Sequence, residues 1–171
     1  MVRRMTRVLL TGMSGAGKST VLTELDRRGH RVVDTDYGGW TVEIPDADGP
    51  GVDRQWREDL VDALLAESVA GSLFVSGTVS NQGRFYPRFD AVVLLTAPLE
   101  VLLARVAARK TNEYGKADAE RAEIIHYVAT VEPRLRAGAS AIIDTRAPVT
   151  AVADELEMIA KLNRREAPEP R

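Results

Sequence analysis

"TRVLLTGMSGAGKST", residues 6–20, decides the fold. Its "TRVLL", Thr6 to Leu10, reads as a first buried strand, and the chain from about Lys18 to Arg28 reads as a helix closed by Gly29. Between them Gly12, Gly17, Lys18 and Ser19 satisfy G-x-x-x-x-G-K-[ST] in the strand-to-helix context that this motif requires. Glycines let the backbone wrap closely around a phosphate, so Gly12, Ser14, Gly15, Ala16, Gly17, Lys18, Ser19 and Thr20 form a candidate nucleotide-phosphate cradle. The helix N-terminus adds partial positive charge there. Lys18 is placed to bridge the outer phosphates, and Ser19 to ligate Mg2+.

Strand and helix signals keep alternating beyond this unit, the pattern of an α/β protein with a parallel sheet covered on both faces. "RVVDTD" (31–36), "LFVSG" (73–77), "AVVLLTAP" (91–98) and "AIIDT" (141–145) read as the second to fifth strands. The turn-rich "YGGWTVEIPDADGPG" (37–51) has room for a short hairpin and begins an acceptor-side region over about 37–70. Asp53 is expected to cap a helix reaching about residue 70, with Trp56, Leu60, Ala63 and Leu64 facing inward. "LEVLLARVAARK" (99–110) is strongly helical, the polar break that follows reads as a lid over about 110–121, and a helix returns over about 118–131. Pro148 opens a last helix to about residue 162, and the charged, proline-bearing stretch 163–171 reads as a flexible tail. Without a linker or an internal repeat, residues 1–162 read as a single domain.

Bulk properties narrow the function classes. A chain of 171 residues can bury a core without staples, and 44% apolar with 28% charged residues is ordinary for a globular protein. The net charge of −2 gives no electrostatic reason to expect nucleic acid or an anionic membrane as partner. There is no cysteine, and the two histidines, His30 and His126, lie far apart, which argues against disulfides and histidine metal centres. No apolar run is long enough to span a bilayer. The expectation is a cytoplasmic protein, monomer or homodimer, whose partner is a small-molecule or nucleotide acceptor.

Asp34 and Asp36 leave the end of the second strand on one side, and in a parallel sheet that end lies next to the phosphate loop. A carboxylate there can orient a hydroxyl and take its proton, although acids at strand ends also serve as plain turn formers.

With the phosphate loop and this Asp-Thr-Asp, the chain resembles the small nucleoside-monophosphate-kinase-like P-loop kinases, and shikimate kinase most, over residues 12 to about 148. The resemblance implies a three-layer α/β/α P-loop NTPase fold with a five-stranded parallel sheet in the order 2-3-1-4-5 and a small lid. It implies ATP and Mg2+ as cofactors and transfer of the γ-phosphoryl group to a small-molecule hydroxyl. It also implies that Asp34 supports the magnesium ion through water and that Asp36 meets the acceptor. Trp56 and Arg57 fall where that family has a Phe-Arg pair, with Leu60 in place of its glutamate. Arg57 is then either an acceptor-anion clamp or a solvated helix arginine. Gly77 keeps one of three glycines set against the acceptor, flanked here by Ser76 and Thr78, and Val131 stands where an arginine helps to hold shikimate. These departures point away from shikimate itself. "GHRVVDTD" (29–36) and "RLRAGASAIIDT" (134–145) are also similar to dephospho-coenzyme A kinase. A nucleotide acceptor stays open through Arg84 and Arg88, which are either phosphate contacts or solvated arginines.

Phosphoryl transfer needs spreading negative charge offset and water kept out, so a lid arginine is expected. Arg109, with Lys110 beside it, is the first candidate and Arg105, four residues earlier, the second. Arg121 either faces the same phosphates or belongs to a self-paired solvated helix, with Asn112, Tyr114 and Gly115 at the lid tip. Arg146 and Pro148 follow the last strand where the family packs a loop against adenine, and no guanine-reading T/N-K-x-D segment occurs. Two readings follow: an ATP-dependent small-molecule kinase, with Lys18, Asp36 and Arg109 catalytic, or an ATP-binding regulatory protein with slow ATPase activity.

Overall fold

The computed structural model describes residues 5–67 and 71–166. Strand β1 (Thr6–Thr11) leads through the phosphate loop into α1 (Lys18–Arg27), and β2 (Arg31–Asp34) follows after Gly29 turns the chain at φ 85°. Next come β3 (Thr41–Pro45), β4 (Val52–Trp56), α2 (Glu58–Ala66), β5 (Ser72–Ser76) and a 3₁₀ segment over Gln82–Arg88. The chain then forms β6 (Ala91–Thr96), α3 (Leu99–Ala108), α4 (Asp118–Thr130), α5 (Glu132–Gly138), β7 (Ala141–Asp144) and α6 (Val149–Glu166).

Five strands form one parallel sheet in the order β2-β5-β1-β6-β7, which is the expected 2-3-1-4-5 order of the sheet strands. Alternation along β1 feeds both faces. Val8 and Leu10 join α1, α3 and α6 through Val21, Leu25, Leu102 and Leu156, while Leu9 joins Trp56, Val61, Leu64, Leu65 and Phe85 on the other side. The register sets Asp34 beside Ser76 and Ser76 beside Leu10, so the end of β2 stands level with the start of the phosphate loop. Every parallel strand thus delivers its carboxyl end to one edge, the edge where α/β sheets bind ligands.

The stretch from 41 to 56 is a hairpin, β3 pairing antiparallel with β4 from Thr41 and Trp56 to Pro45 and Val52. The helix expected from Asp53 is therefore corrected: Asp53 lies in β4, where it accepts from Ser80 Oγ at 2.6 Å and Gln55 Nε2 at 2.9 Å. Antiparallel pairing with Thr41–Pro45 draws residues 52–56 into a strand and outweighs the capping signal. The inward residues of α2 are Val61, Leu64 and Leu65, whereas Ala63 is exposed and Leu60 half-buried. The end anticipated near residue 70 lies outside the described residues. At the other terminus α6 runs to Glu166, so residues 163–166 are helical rather than a tail, and the remainder of the expected tail is outside the described residues. The short helix α5 was not anticipated; Pro133 in its first turn and buried Leu135 account for it.

Candidate active site

The phosphate loop is held from below. Gly12 donates its N–H to Thr78 Oγ1 at 3.2 Å, and Thr78 Oγ1 donates to Gly12 O at 2.8 Å. A Cβ at Gly12 would stand 2.3 Å from Leu95 O, so the first glycine of the motif is demanded by the neighbouring strand. Lys18 folds back over the loop, its Nζ donating to Gly12 O at 2.5 Å and Met13 O at 3.2 Å. Burial pulls this ammonium below its ordinary range; Asp36 and then Asp34 pull it upward, and Arg109 adds to the lowering. The three side chains that act on Lys18 come from two distant segments and converge on it.

Asp34 accepts from Ser19 Oγ through Oδ2 at 2.8 Å and from Asp36 N through Oδ1 at 3.1 Å. An alcohol and a carboxylate in contact, both oxygen donors, suit a hard cation such as Mg2+, which keeps several waters and takes few protein ligands. Asp36 is more open and faces Arg54, with Nη1 of Arg54 3.7 Å from Oδ1 and Nη2 donating to the Asp36 carbonyl at 3.3 Å. A cleft of about 630 Å³ opens beside these groups. Ser14 through Val21, Asp36 and Tyr37 line one side, and Arg105, Arg109, Thr111, Asn112, Thr145, Ala147, Val149 and Val152 line the other.

The cleft gathers some expected residues and leaves others outside its lining. Ser14, Gly15, Ala16, Gly17, Lys18, Ser19, Thr20, Asp36, Arg105, Arg109 and Asn112 all face it. Arg105 spans its floor, with Nη1 donating to Gly15 O at 3.2 Å and Thr145 Oγ1 at 2.8 Å, and Nη2 to Thr145 O at 2.6 Å. Arg57 pairs instead with Asp59 at 3.3 Å, Arg84 with Glu58 at 2.6 Å, and Arg88 with Asp62. Gly77 is buried against Thr35 and Trp56. Arg146 turns onto Asp144 at 2.5 Å, holding that carboxyl below its usual range, and the residues of this stretch that line the cleft are Thr145, Ala147, Val149 and Val152 rather than Arg146 or Pro148. Arg121 is exposed on α4 and does not line the cleft.

Between α3 and α4 the expected lid is closed on itself. Arg109 Nη2 donates to Tyr114 O at 2.6 Å, Tyr114 OH to Glu123 at 2.5 Å, and Gly115 N to Glu120 at 2.8 Å. Burial, reinforced by Glu123, pushes the Tyr114 phenol upward. Gly115 has φ 91°, and a Cβ there would lie 2.4 Å from Val106 and 2.6 Å from Ile124, so only glycine fits this tip. The sequence reading passes over Arg54 and notes Thr78 only as a neighbour of Gly77. Arg54 is visible only once 52–56 is a strand, and Thr78 only once β5 is set beside β1.

A family profile described as an AAA domain matches residues 8–126. A nucleotide-binding protein of Gluconacetobacter diazotrophicus is 32% identical over 142 residues, covering 81% of this chain, and this chain spans 37% of the length of that relative. Among solved structures, shikimate kinase from Acinetobacter baumannii bound to shikimate superposes with a TM-score of 0.65 at 19% identity, covering 94% of this chain and 96% of that one. A gluconokinase from Sinorhizobium meliloti superposes at 0.58 and 17% identity, over 95% and 96% of the two chains. At such identities the likeness is one of fold: that of small-molecule P-loop kinases, with shikimate kinase among them as the motifs imply. No described helix is long and apolar enough to cross a membrane.

Proposed function

We propose that this chain, which belongs to the AAA domain family, is an ATP-dependent phosphotransferase acting on a hydroxyl of a small molecule other than shikimate. What carries the reading is the grouping of Lys18, Ser19, Asp36 and Arg109 around one cleft, with Asp34, outside its lining, bonded to Ser19. When bound, Mg-ATP supplies the phosphoryl group and a cation that offsets charge on its oxygens. The chain's own groups position and polarise. The loop amides and Lys18 hold the phosphates, with Lys18 exchanging its two carbonyl partners for phosphate oxygens. Ser19 and Asp34 hold the metal, and Asp36 orients the acceptor hydroxyl and takes its proton. Arg109 and Arg105 face the developing charge. Thr145, Ala147, Val149 and Val152 offer a mostly apolar seat for adenine. On the acceptor side Arg54 stands beside the working carboxylate, and Arg57 is paired with Asp59.

The test is ATP turnover by the purified chain with separate pools of hydroxylated metabolites, nucleoside monophosphates and dephospho-coenzyme A. Stimulation by a hydroxylated pool supports the reading, and stimulation by nucleotides alone moves the acceptor group to a phosphate. Slow turnover indifferent to every pool overturns transfer in favour of a nucleotide-dependent regulatory protein. That second reading is favoured by one observation: Arg57 and Arg84, both candidates for contact with the acceptor, are each paired with a carboxylate of the chain.

A further inference from the structure

Trp56, the last residue of β4, is 1% exposed, and each of its polar groups has a partner. Its backbone N–H donates to Asn81 Oδ1 at 2.9 Å and its carbonyl accepts from Asn81 Nδ2 at 3.1 Å. Its indole Nε1 donates to Thr35 Oγ1 at 2.9 Å. Thr35 is the buried middle residue of Asp34-Thr35-Asp36, and its hydroxyl passes the chain on to Ser76 O at 2.8 Å. Gly77 closes the arrangement: a Cβ there would lie 2.2 Å from Thr35 Oγ1 and 3.0 Å from Trp56 Cζ2, so the indole edge and the threonine occupy the space of a side chain.

Filling this space needs only an apolar ring, and Phe85 already packs edge-on against it with centroids 5.6 Å apart. The indole N–H does something further. Residues 54 and 56 share one face of β4, and both reach the same tripeptide, Arg54 through the Asp36 carbonyl and Trp56 through the Thr35 hydroxyl. The acceptor-side hairpin therefore grips, at two successive residues, the segment that carries both working carboxylates.

We propose that Trp56 is a positioning residue: through its indole N–H and the Thr35 hydroxyl it fixes the backbone that aims Asp34 at Ser19 and Asp36 at the cleft. The inference rests on the phosphotransferase reading for the role of Asp34. The structural consequence of losing the bond is specific. Thr35→Val keeps the shape but leaves the buried indole N–H without an acceptor, while Trp56→Phe removes the donor and leaves Gly77 less tightly covered.

The full chain and these variants are titrated with a non-hydrolysable ATP analogue, once with Mg2+ and once with EDTA. The ratio of the two affinities is the magnesium gain. Thr35→Val and Trp56→Phe are each expected to cut that gain about five- to tenfold, the size of one lost buried hydrogen bond. Affinity in EDTA should stay within about twofold, since the cradle is untouched. Thr35→Ser, which keeps the hydroxyl, should retain the gain. Variants that melt earlier yet keep the full gain make Trp56 a packing residue only and overturn the inference. A wild-type chain with no magnesium gain overturns the phosphotransferase reading together with it, so the two failures are told apart by the wild type.

Discussion

Ser19 Oγ donates to Asp34 Oδ2 at 2.8 Å, joining the first turn of α1 to the end of β2, a strand that β5 separates from β1 in the sheet. If this pair holds Mg2+, Asp34→Asn keeps the shape and removes the charge that the metal needs. Mg-ATP affinity should then fall about ten- to a hundredfold, the range of a lost charge-assisted contact. Binding measured in EDTA should hardly change. An equal loss in both media would make Asp34 a structural partner of Ser19 and nothing more.

Asp36 and Arg54 bear on transfer rather than on donor binding. Asp36→Asn removes the proton acceptor, so acceptor-dependent turnover should drop about 10²- to 10⁴-fold with ATP affinity nearly unchanged. Arg54→Ala frees the Asp36 carbonyl and its carboxylate from the hairpin. It should lower acceptor kcat/KM about tenfold. An active Asp36→Asn protein removes this residue from the mechanism.

The donor half of the site was legible because its determinants are local. Gly12 to Thr20 is one contiguous loop, and Asp34 and Asp36 are fixed by their place at a strand end. The acceptor half depends in part on pairings distant in sequence. Arg84 and Arg88 had chemistry suited to an anion, yet they pair with Glu58 and Asp62 on α2, which no local pattern announces, while Arg57 pairs with its near neighbour Asp59. Asp53 carried a capping signal, yet it lies in a strand because Thr41 to Pro45 offers an antiparallel partner, a tertiary choice that no local signal shows. After the last sheet strand, Arg146 finds Asp144 two residues away and leaves the cleft lining to Thr145 and Ala147, a local pairing that the reading of Arg146 as a base contact passes over.

Lys18 has its proton held less tightly than an ordinary lysine, whose value is 10.5, with burial as the leading cause. In the alkaline range below 10.5 the folded chain sheds this proton before the unfolded chain does. The Lys18 contribution to stability therefore rises with pH there, while affinity for a triphosphate, which needs the ammonium, falls. ATP titrations across that range should show the decline in the wild type and a flatter curve in Lys18→Arg. Identical curves would place the titration elsewhere.

Glu24 accepts from Arg27 and Arg28, and these bonds hold its carboxyl down to about 2. Arg28 also reaches Asp154 at 2.7 Å and Glu157 at 3.0 Å, tying α1 to α6. A depressed carboxyl stabilises the fold above its ordinary value of 4.5, and that contribution is lost as pH falls toward 2. Thermal melts should show the midpoint dropping through this window. Glu24→Gln should melt earlier at neutral pH and show a shallower acid limb, whereas an unchanged limb would assign the acid sensitivity to other carboxylates.

Arg109 sits where α3 ends, its N–H on Arg105 O at 3.0 Å and its Nη2 on Tyr114 O at 2.6 Å, while its Nε is buried without a hydrogen-bond partner among the described residues. One edge of the guanidinium is thus committed to the expected lid, and the group lines the cleft within electrostatic reach of Lys18. A cation already placed there acts most on charge that develops during transfer, because its orientation costs nothing at that moment. Arg109→Ala should therefore lower kcat about a hundredfold, in the range for removing one such preorganised donor, while ATP affinity changes less than about threefold. Arg109→Lys keeps the charge and loses the fork that holds Tyr114 O, so it should fall between the two. Equal losses in kcat and in ATP affinity would assign Arg109 to ground-state phosphate binding, and the role facing the developing charge would pass to Arg105, which already bridges Gly15 and Thr145.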